Sequence, residues 1–227
     1  MKRQIFLDIE TTGLCFNKGH KIIEIAAVEM INRKLTGNNF HTYVNPQRSI
    51  DKEAIKIHKI QNEFLLDKPF FSHIANDFLK FIGQSDLIIH NSEFDLGFLN
   101  NELKKIKHQF GKIEDNNFII DSLSIARKKY QGKKNSLDAL CKRFGLSYVE
   151  RQEKGHGALL DAKILYEVYI CMTSEQIEFS FVKKNKQEKK IAFFKIKKNN
   201  KPLLILKANS EELLEHENFF KTIKSNN

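Results

Sequence analysis

Apolar residues change their period along this chain, and the change separates strands from helices. The run Arg3-Gln4-Ile5-Phe6-Leu7-Asp8-Ile9-Glu10 is almost continuously apolar at its centre and ends in acids, the pattern of a strand that enters a core. Residues 20–31 form a second long β-rich run. Residues 32–39, with Gly37 and several asparagines, read as a turn, and Phe40-His41-Thr42-Tyr43-Val44 returns as a third strand that ends before Pro46, completing an antiparallel meander. The period then lengthens. Residues 51–58 read as a helix with Asp51 at the N-cap, and residues 70–82 place Phe71, Ile74, Ala75, Phe78, Leu79 and Ile82 on one helical face.

From residue 86 onward short strands alternate with helices. Asp86-Leu87-Ile88-Ile89-His90 is a buried strand, and Asn91 or Ser92 caps a helix running from Glu93 to about Ile106. Residues 117–121 form another strand, followed by a helix to Tyr130. Ser136 caps a helix over residues 137–144, which stops at Gly145, a residue type that tolerates the left-handed terminal turn. A polar loop, residues 151–157, leads into a helix from Ala158 to about Met172. Strands first, then strands alternating with helices, predict an α/β domain over residues 1–173, a mixed central sheet flanked by helices.

Composition refines this picture. The 227 residues are 41% hydrophobic, enough for a substantial core, and no long uncharged apolar run appears, so the expectation is a soluble, cytoplasmic protein with no membrane partner. Cys15, Cys141 and Cys171 are odd in number and widely spaced, which predicts reduced thiols and argues against a zinc site. The formal net charge is +10, but residues 182–227 alone hold 12 lysines against five glutamates. A near-neutral body therefore carries a basic tail, which suits a polyanionic partner.

The acids at strand and helix ends are the chemically informative positions. Asp8 and Glu10 emerge on one face of their strand, where two like charges beside a core are costly unless a divalent cation lies between them. A solvated strand end carrying acids by chance is the alternative. Asp95 stands in the first turn of a helix fed by a buried strand, a place that the helix dipole also favours for structural reasons. In His156-Gly157-Ala158-Leu159-Leu160-Asp161 a loop histidine precedes by five residues an aspartate set among apolar neighbours. A satisfied buried aspartate and an exposed loop histidine are the plainer readings of that pair.

Taken together, the order Asp-x-Glu, Asp, His-x4-Asp resembles the DEDDh 3'-to-5' exonuclease family, whose fold is ribonuclease H-like. Residues 20–46, Glu63-Phe64-Leu65-Leu66-Asp67-Lys68-Pro69 and Asn135-Ser136-Leu137-Asp138-Ala139-Leu140-Cys141 look like its epsilon branch, the proofreading subunits of bacterial DNA polymerase III. The resemblance covers about residues 2–173. It implies two divalent ions, Mg²⁺ or Mn²⁺, held by Asp8, Glu10, Asp95 and Asp161, with His156 as general base. It also implies that Thr11, Gly13 and Leu14 lie against the terminal nucleotide, along with Asp8, Glu10 and Asp161, and that Glu53 and His58 bind the 3' end. Lys59 stands where close relatives often carry Gly. Phe94 and Phe98 would flank bases or, more simply, pack in the core.

The tail reads as residues 174–201, a flexible basic linker, and residues 202–227, a short strand and a helix. Gln176, Phe179 and Phe181, just beyond the last body helix, are similar to the sliding-clamp-binding peptide of epsilon subunits, an ordinary linker being the alternative. By the same resemblance, residues 202–227 bind the polymerase alpha subunit, DNA 3' ends are the substrate, and a small theta-like subunit is a further partner in some relatives. Two rival functions are a free-standing DEDDh exoribonuclease and a non-catalytic bridge between polymerase and clamp.

Overall fold

A computed structural model describes residues 2–146 and 155–187, with side chains to residue 174. The chain divides into two compact units, Met1–Lys184 and Asn185–Asn227, and the first carries the architecture described here. Strand β1 (Arg3–Thr11) is followed by β2 (Ile22–Ile31), β3 (Lys34–Tyr43), α1 (Lys52–His58), α2 (Phe71–Ile82), β4 (Asp86–Ile89) and α3 (Ser92–Lys105). The short α4 (Ile113–Asn116), β5 (Ile119–Asp121), α5 (Ser122–Lys129), α6 (Leu137–Phe144) and α7 (Ala158–Gln187) complete the order. The sheet runs β3-β2-β1-β4-β5, with β1, β2 and β3 antiparallel and β1, β4 and β5 parallel. It is the mixed sheet expected from the sequence.

The unbroken apolar run of β1 has a direct cause: both faces of the strand are covered. Ile5, Leu7 and Ile9 join one core with Phe78 and Leu79 of α2 and Phe98 and Leu99 of α3. Phe6 joins the opposite core with Ala126, Leu140, Ala162, Leu165 and Val168 from α5, α6 and α7. Strand parity therefore sends Asp8 and Glu10, which share the face of Phe6, toward the α7 side.

Two boundaries and one cap differ from the sequence reading. The β2–β3 turn is confined to Asn32 and Arg33, both at positive φ (52° and 64°), so residues 34–39 belong to β3. Two consecutive positive φ angles match the right-handed strand twist of a tight hairpin. Gly37, at φ 90°, lies within that strand, opposite an irregular register between Val28 and Met30. Asp51 does occupy the N-cap of α1, but its carboxylate faces His20 Nε2 at 3.4 Å rather than the helix amides. The last helix runs to Gln187, past the expected end near Met172. The tail strand and helix expected over residues 202–227 lie outside the described residues. Cys15, Cys141 and Cys171 are free thiols, and among the described residues no helix is long and apolar enough to cross a membrane.

The polar residues of β3 are explained by Glu29 of β2, which is nearly buried. Its carboxylate accepts hydrogen bonds from Thr36 Oγ1 (2.7 Å), Asn38 Nδ2 (2.9 Å) and the Arg3 guanidinium. Arg3 also donates to the Ile82 carbonyl (3.1 Å) and lies over the Phe81 ring. The Thr36 hydroxyl first, then Arg3 and Asn38, hold the Glu29 pKa down at about 2 against the opposing effect of burial. A depressed carboxylate pKa contributes stability that is complete above the usual carboxylate range and is lost as pH falls toward the folded value. Glu29→Gln is therefore expected to destabilise the chain by about 1–3 kcal/mol at pH 7, the scale of hydrogen bonds to a charged group. In urea titrations, the gap between variant and wild type should shrink between about pH 4.5 and pH 2; equal stability at pH 7 would contradict the assignment.

Candidate active site

Because β1, β4 and β5 are parallel, their C-terminal ends lie along one edge of the sheet, the place where open α/β sheets collect ligands. Asp8 and Glu10 come from the end of β1. Asp95 comes from the first turn of α3, immediately after β4, and Asp161 from the first turn of α7. These four acids and His156 line one cavity of about 630 Å³. Within it, Glu10, His156 and Asp161 offer ligand atoms that all lie within 4.8 Å of one another. His156 Nδ1 stands 3.4 Å from Asp161 Oδ2, and the His156 backbone N–H donates to the Ile57 carbonyl at 3.1 Å, which ties the histidine loop to the end of α1.

The electrostatics of this cluster call for a cation. Asp95 and Asp161 are each only 4% exposed. Burial pushes the Asp95 carboxyl well above its ordinary pKa, and the negative charge of Asp121 adds to that, while backbone amides of Asp95 and Ile9 oppose it. A buried carboxyl in that state gains its charged form when a hard cation arrives, and metal binding then releases the proton. The donor set consists of carboxylate oxygens with one imidazole, which suits a hard divalent ion.

A second cavity of about 380 Å³ adjoins the first and is lined by Thr11, Gly13, Leu14, Glu53, Ile57 and His58, among others. Ile9, Glu10 and Phe94 border both cavities. Leu14 is 82% exposed and Ile57 47%, so the second cavity has apolar lips open to solvent. His58 is buried, and its Nδ1 accepts a hydrogen bond from the Ile60 N–H at 3.0 Å, which puts the ring proton on Nε2. That Nε2 has no hydrogen-bond partner among the described residues. Burial lowers the His58 pKa despite the nearby negative charge of Glu24, so the ring is a neutral donor. Lys59, at φ 61°, makes the left-handed C-cap of α1 that brings the Ile60 amide to His58. A left-handed cap accounts for the glycine common at that position in relatives.

The predicted residues thus fall into two adjoining sets. Asp8, Glu10, Asp95, His156 and Asp161 come together in the first cavity, and Thr11, Gly13, Leu14, Glu53 and His58 in the second, joined through Glu10. The room left by Gly13 is filled by the His20 ring, whose atoms would lie 2.4–2.8 Å from any added Cβ; close backbone approach here serves the protein's own packing. Phe98 is fully buried and is a core residue, whereas Phe94 packs against it at a 5.0 Å ring separation and faces both cavities. The side chains of Gln176, Phe179 and Phe181 lie outside the described residues.

Two residues escaped the sequence reading. Asp121, at the end of β5, accepts from the Asn91 N–H (3.1 Å), the Leu123 N–H (3.0 Å) and Ser124 Oγ (2.7 Å). Burial would raise its pKa, but these donors outweigh it and lower the value. Asn91 is itself left-handed at φ 73°, so Asp121 holds the elbow that aims α3 and Asp95 at the site. Glu24 of β2 is only 2% exposed, sits opposite Glu10 in the sheet register, and pairs through Oε1 with His41 Nε2 at 2.7 Å. Asp121 is also the local N-cap of α5, but its bond to the Asn91 elbow, like the pairing of Glu24 with His41, joins residues distant in the chain.

The exonuclease family model matches residues 5–169. The DNA polymerase III subunit epsilon of Buchnera aphidicola is 48% identical over 233 residues, covering 98% of this chain and 92% of that relative. The subunit of the same name from Escherichia coli K12 is 45% identical over 222 residues, covering 95% and 90%. Among solved structures, exonuclease X in complex with 5' overhanging duplex DNA aligns with a TM-score of 0.57 at 28% identity, covering 77% of this chain and 92% of that one. The nuclease domain of 3'hExo, a DEDDh family member bound to rAMP, shares the fold at a TM-score of 0.64 and 17% identity, covering 77% of this chain and 92% of that one. The chain belongs to the exonuclease family, in the branch formed by the DNA polymerase III epsilon subunits, and is a metal-dependent 3'–5' exonuclease.

Proposed function

We propose that the chain proofreads newly made DNA in a polymerase III assembly by hydrolysing the last phosphodiester of a 3' end, using the four acids, His156 and the second cavity in distinct roles. One observation carries the assignment of roles: the acid cluster and an open, apolar-lipped pocket meet at Glu10 and Phe94. A bond cut at Glu10 is therefore the bond next to whatever fills the pocket, which is the geometry of an enzyme that removes one terminal unit.

In this reading Asp8, Glu10 and Asp161 hold one divalent ion and Asp8 with Asp95 a second, Mg²⁺ or Mn²⁺ in each case. Such ions, when bound, supply charge for the phosphoryl oxygens and acidify water. His156 takes the proton of the attacking water; its Nδ1 is turned to Asp161, and we assign the proton to Nε2. The terminal nucleotide sits between the Leu14 and Ile57 lips and the Phe94 ring. His58 lines that cavity and donates its Nε2–H to the 3'-hydroxyl oxygen, with the Glu53 carboxylate accepting the hydroxyl proton. The product is a nucleoside 5'-monophosphate. A mispaired end frays more readily than a paired one, so unpairing energy contributes to selection.

Residues 202–227 are the tether to the alpha subunit, and Gln176, Phe179 and Phe181 bind the sliding clamp. High identity to epsilon subunits along 95–98% of the chain supports this assembly over a free-standing exoribonuclease or a non-catalytic bridge.

Asp8→Ala and Asp161→Ala should reduce DNA hydrolysis to background while leaving the unfolding midpoint within a few degrees of wild type; full activity in either would contradict the ligand assignment. His156→Ala should bind Mn²⁺ and a 3' end as wild type does yet lose about 10²–10⁴-fold in kcat; an unchanged kcat would remove it as the base. Replacing Gln176, Phe179 and Phe181 together by Ala should abolish capture by immobilised clamp in surface plasmon resonance, and unchanged capture would refute the peptide assignment.

A further inference from the structure

The cavity that holds the acids extends well beyond them, and its far wall is basic. Arg127, in the last turn of α5, and Lys133, in the loop before α6, line the same cavity as Asp8, Glu10 and Asp161. Both are exposed, and neither is paired with an acid among the described residues. Among the described residues, the acid on that wall is Asp138 of α6, which has a partner of its own.

Lys133 is presented by a built loop. Arg143 lies over the Tyr130 ring at 4.5 Å, and its guanidinium donates to Asn135 Oδ1 (3.1 Å) and to the Lys134 carbonyl (2.8 Å). Asn135, 9% exposed, donates through Nδ2 to the carbonyls of Tyr130 (3.3 Å) and Lys133 (2.9 Å). Gly132 at φ 71° makes the turn between them. Arg143 and Asn135 thus hold the backbone of Tyr130, Lys133 and Lys134, which keeps Lys133 at the cavity wall.

Resting on the exonuclease reading, which puts the terminal nucleotide in the second cavity and the cut bond at Glu10, the strand must continue from Glu10 into the first cavity. We infer that Arg127 and Lys133 form a subsite for the phosphodiester immediately upstream of the one that is cut. A polyanion approaching four carboxylates is repelled by them, and a cationic wall opposite offsets that repulsion where the incoming strand passes. The subsite takes any nucleotide sequence, because it reads backbone charge alone.

The test uses the full-length chain and two substrates. One is an oligodeoxynucleotide; the other is the p-nitrophenyl ester of thymidine 5'-monophosphate, which has no upstream phosphate. Arg127→Gln with Lys133→Gln should raise KM for the oligonucleotide about tenfold, a charged hydrogen bond's worth, with kcat retained and ester hydrolysis at the wild-type rate. The dependence of log KM on log salt should flatten by about 0.7 per lost phosphate contact. Replacing only the upstream phosphodiester by a neutral methylphosphonate should cost the wild type a similar factor and cost the variant nothing more. An unchanged KM in the variant, or losses from variant and methylphosphonate that simply multiply, would overturn the subsite. A wild type that cleaves neither substrate would instead contradict the nuclease reading, and the subsite with it.

Discussion

The structure depends on keeping like charges together in one cavity at the edge of the sheet. Asp95 and Asp161 are buried, and Asp8 and Glu10 share their cavity. Left to itself, such a cluster would relax by moving apart or taking up protons. It stays in place because each acid hangs from an element fixed on other grounds. β1 is covered on both faces and pairs with β2 through Asp8 and Glu10, which fixes the backbone that carries them. Asp95 follows a left-handed Asn91 that Asp121 pins from β5. Asp161 opens a helix whose apolar side is buried against the sheet. The apolar layers hold the acids in position, and divalent metal ions complete the site chemically.

The second cavity solves a different problem, recognition of an end. Its parts are a neutral donor, His58 Nε2–H, buried and oriented by the Ile60 amide, and apolar lips on two separate elements. Because the His156 amide is bonded to the Ile57 carbonyl, the segment that carries His58 and the loop that carries His156 share one hydrogen bond. End binding and catalysis are therefore built on one continuous piece of structure rather than on two independent ones.

Much of this was readable in the chain. The long apolar run of β1, the helical period of α2 and the Ser136 and Gly145 caps of α6 are local signals, and the structure contains all of them. The order of the acids and the histidine placed five residues in one cavity before any geometry was available. What escaped was set by distant partners. The residues of β3 from Lys34 to Asn39 looked like a turn because most are polar, yet Glu29 of the neighbouring strand accepts hydrogen bonds from Thr36 and Asn38. Asp51 sits where a capping residue belongs but is drawn to His20. Gly13 looked like an approach point for substrate, whereas the His20 ring fills the space that it leaves. Asp121 carries only the local signal of a helix cap and Glu24 none, since their part in the site arises when β5 meets the α3 elbow and β2 meets the end of β1.

The most direct test of the central claim follows the 3' end itself. Purified chain is incubated with primer-template DNA bearing a single 3' mismatch and, separately, with single-stranded RNA, each with Mg²⁺ or with chelator. Mg²⁺-dependent removal of the mismatched nucleotide as a 5'-monophosphate, faster than removal of a paired one and faster than trimming of the RNA, is the predicted result. RNA trimming with the DNA left intact, or excision that persists in chelator, would contradict the account.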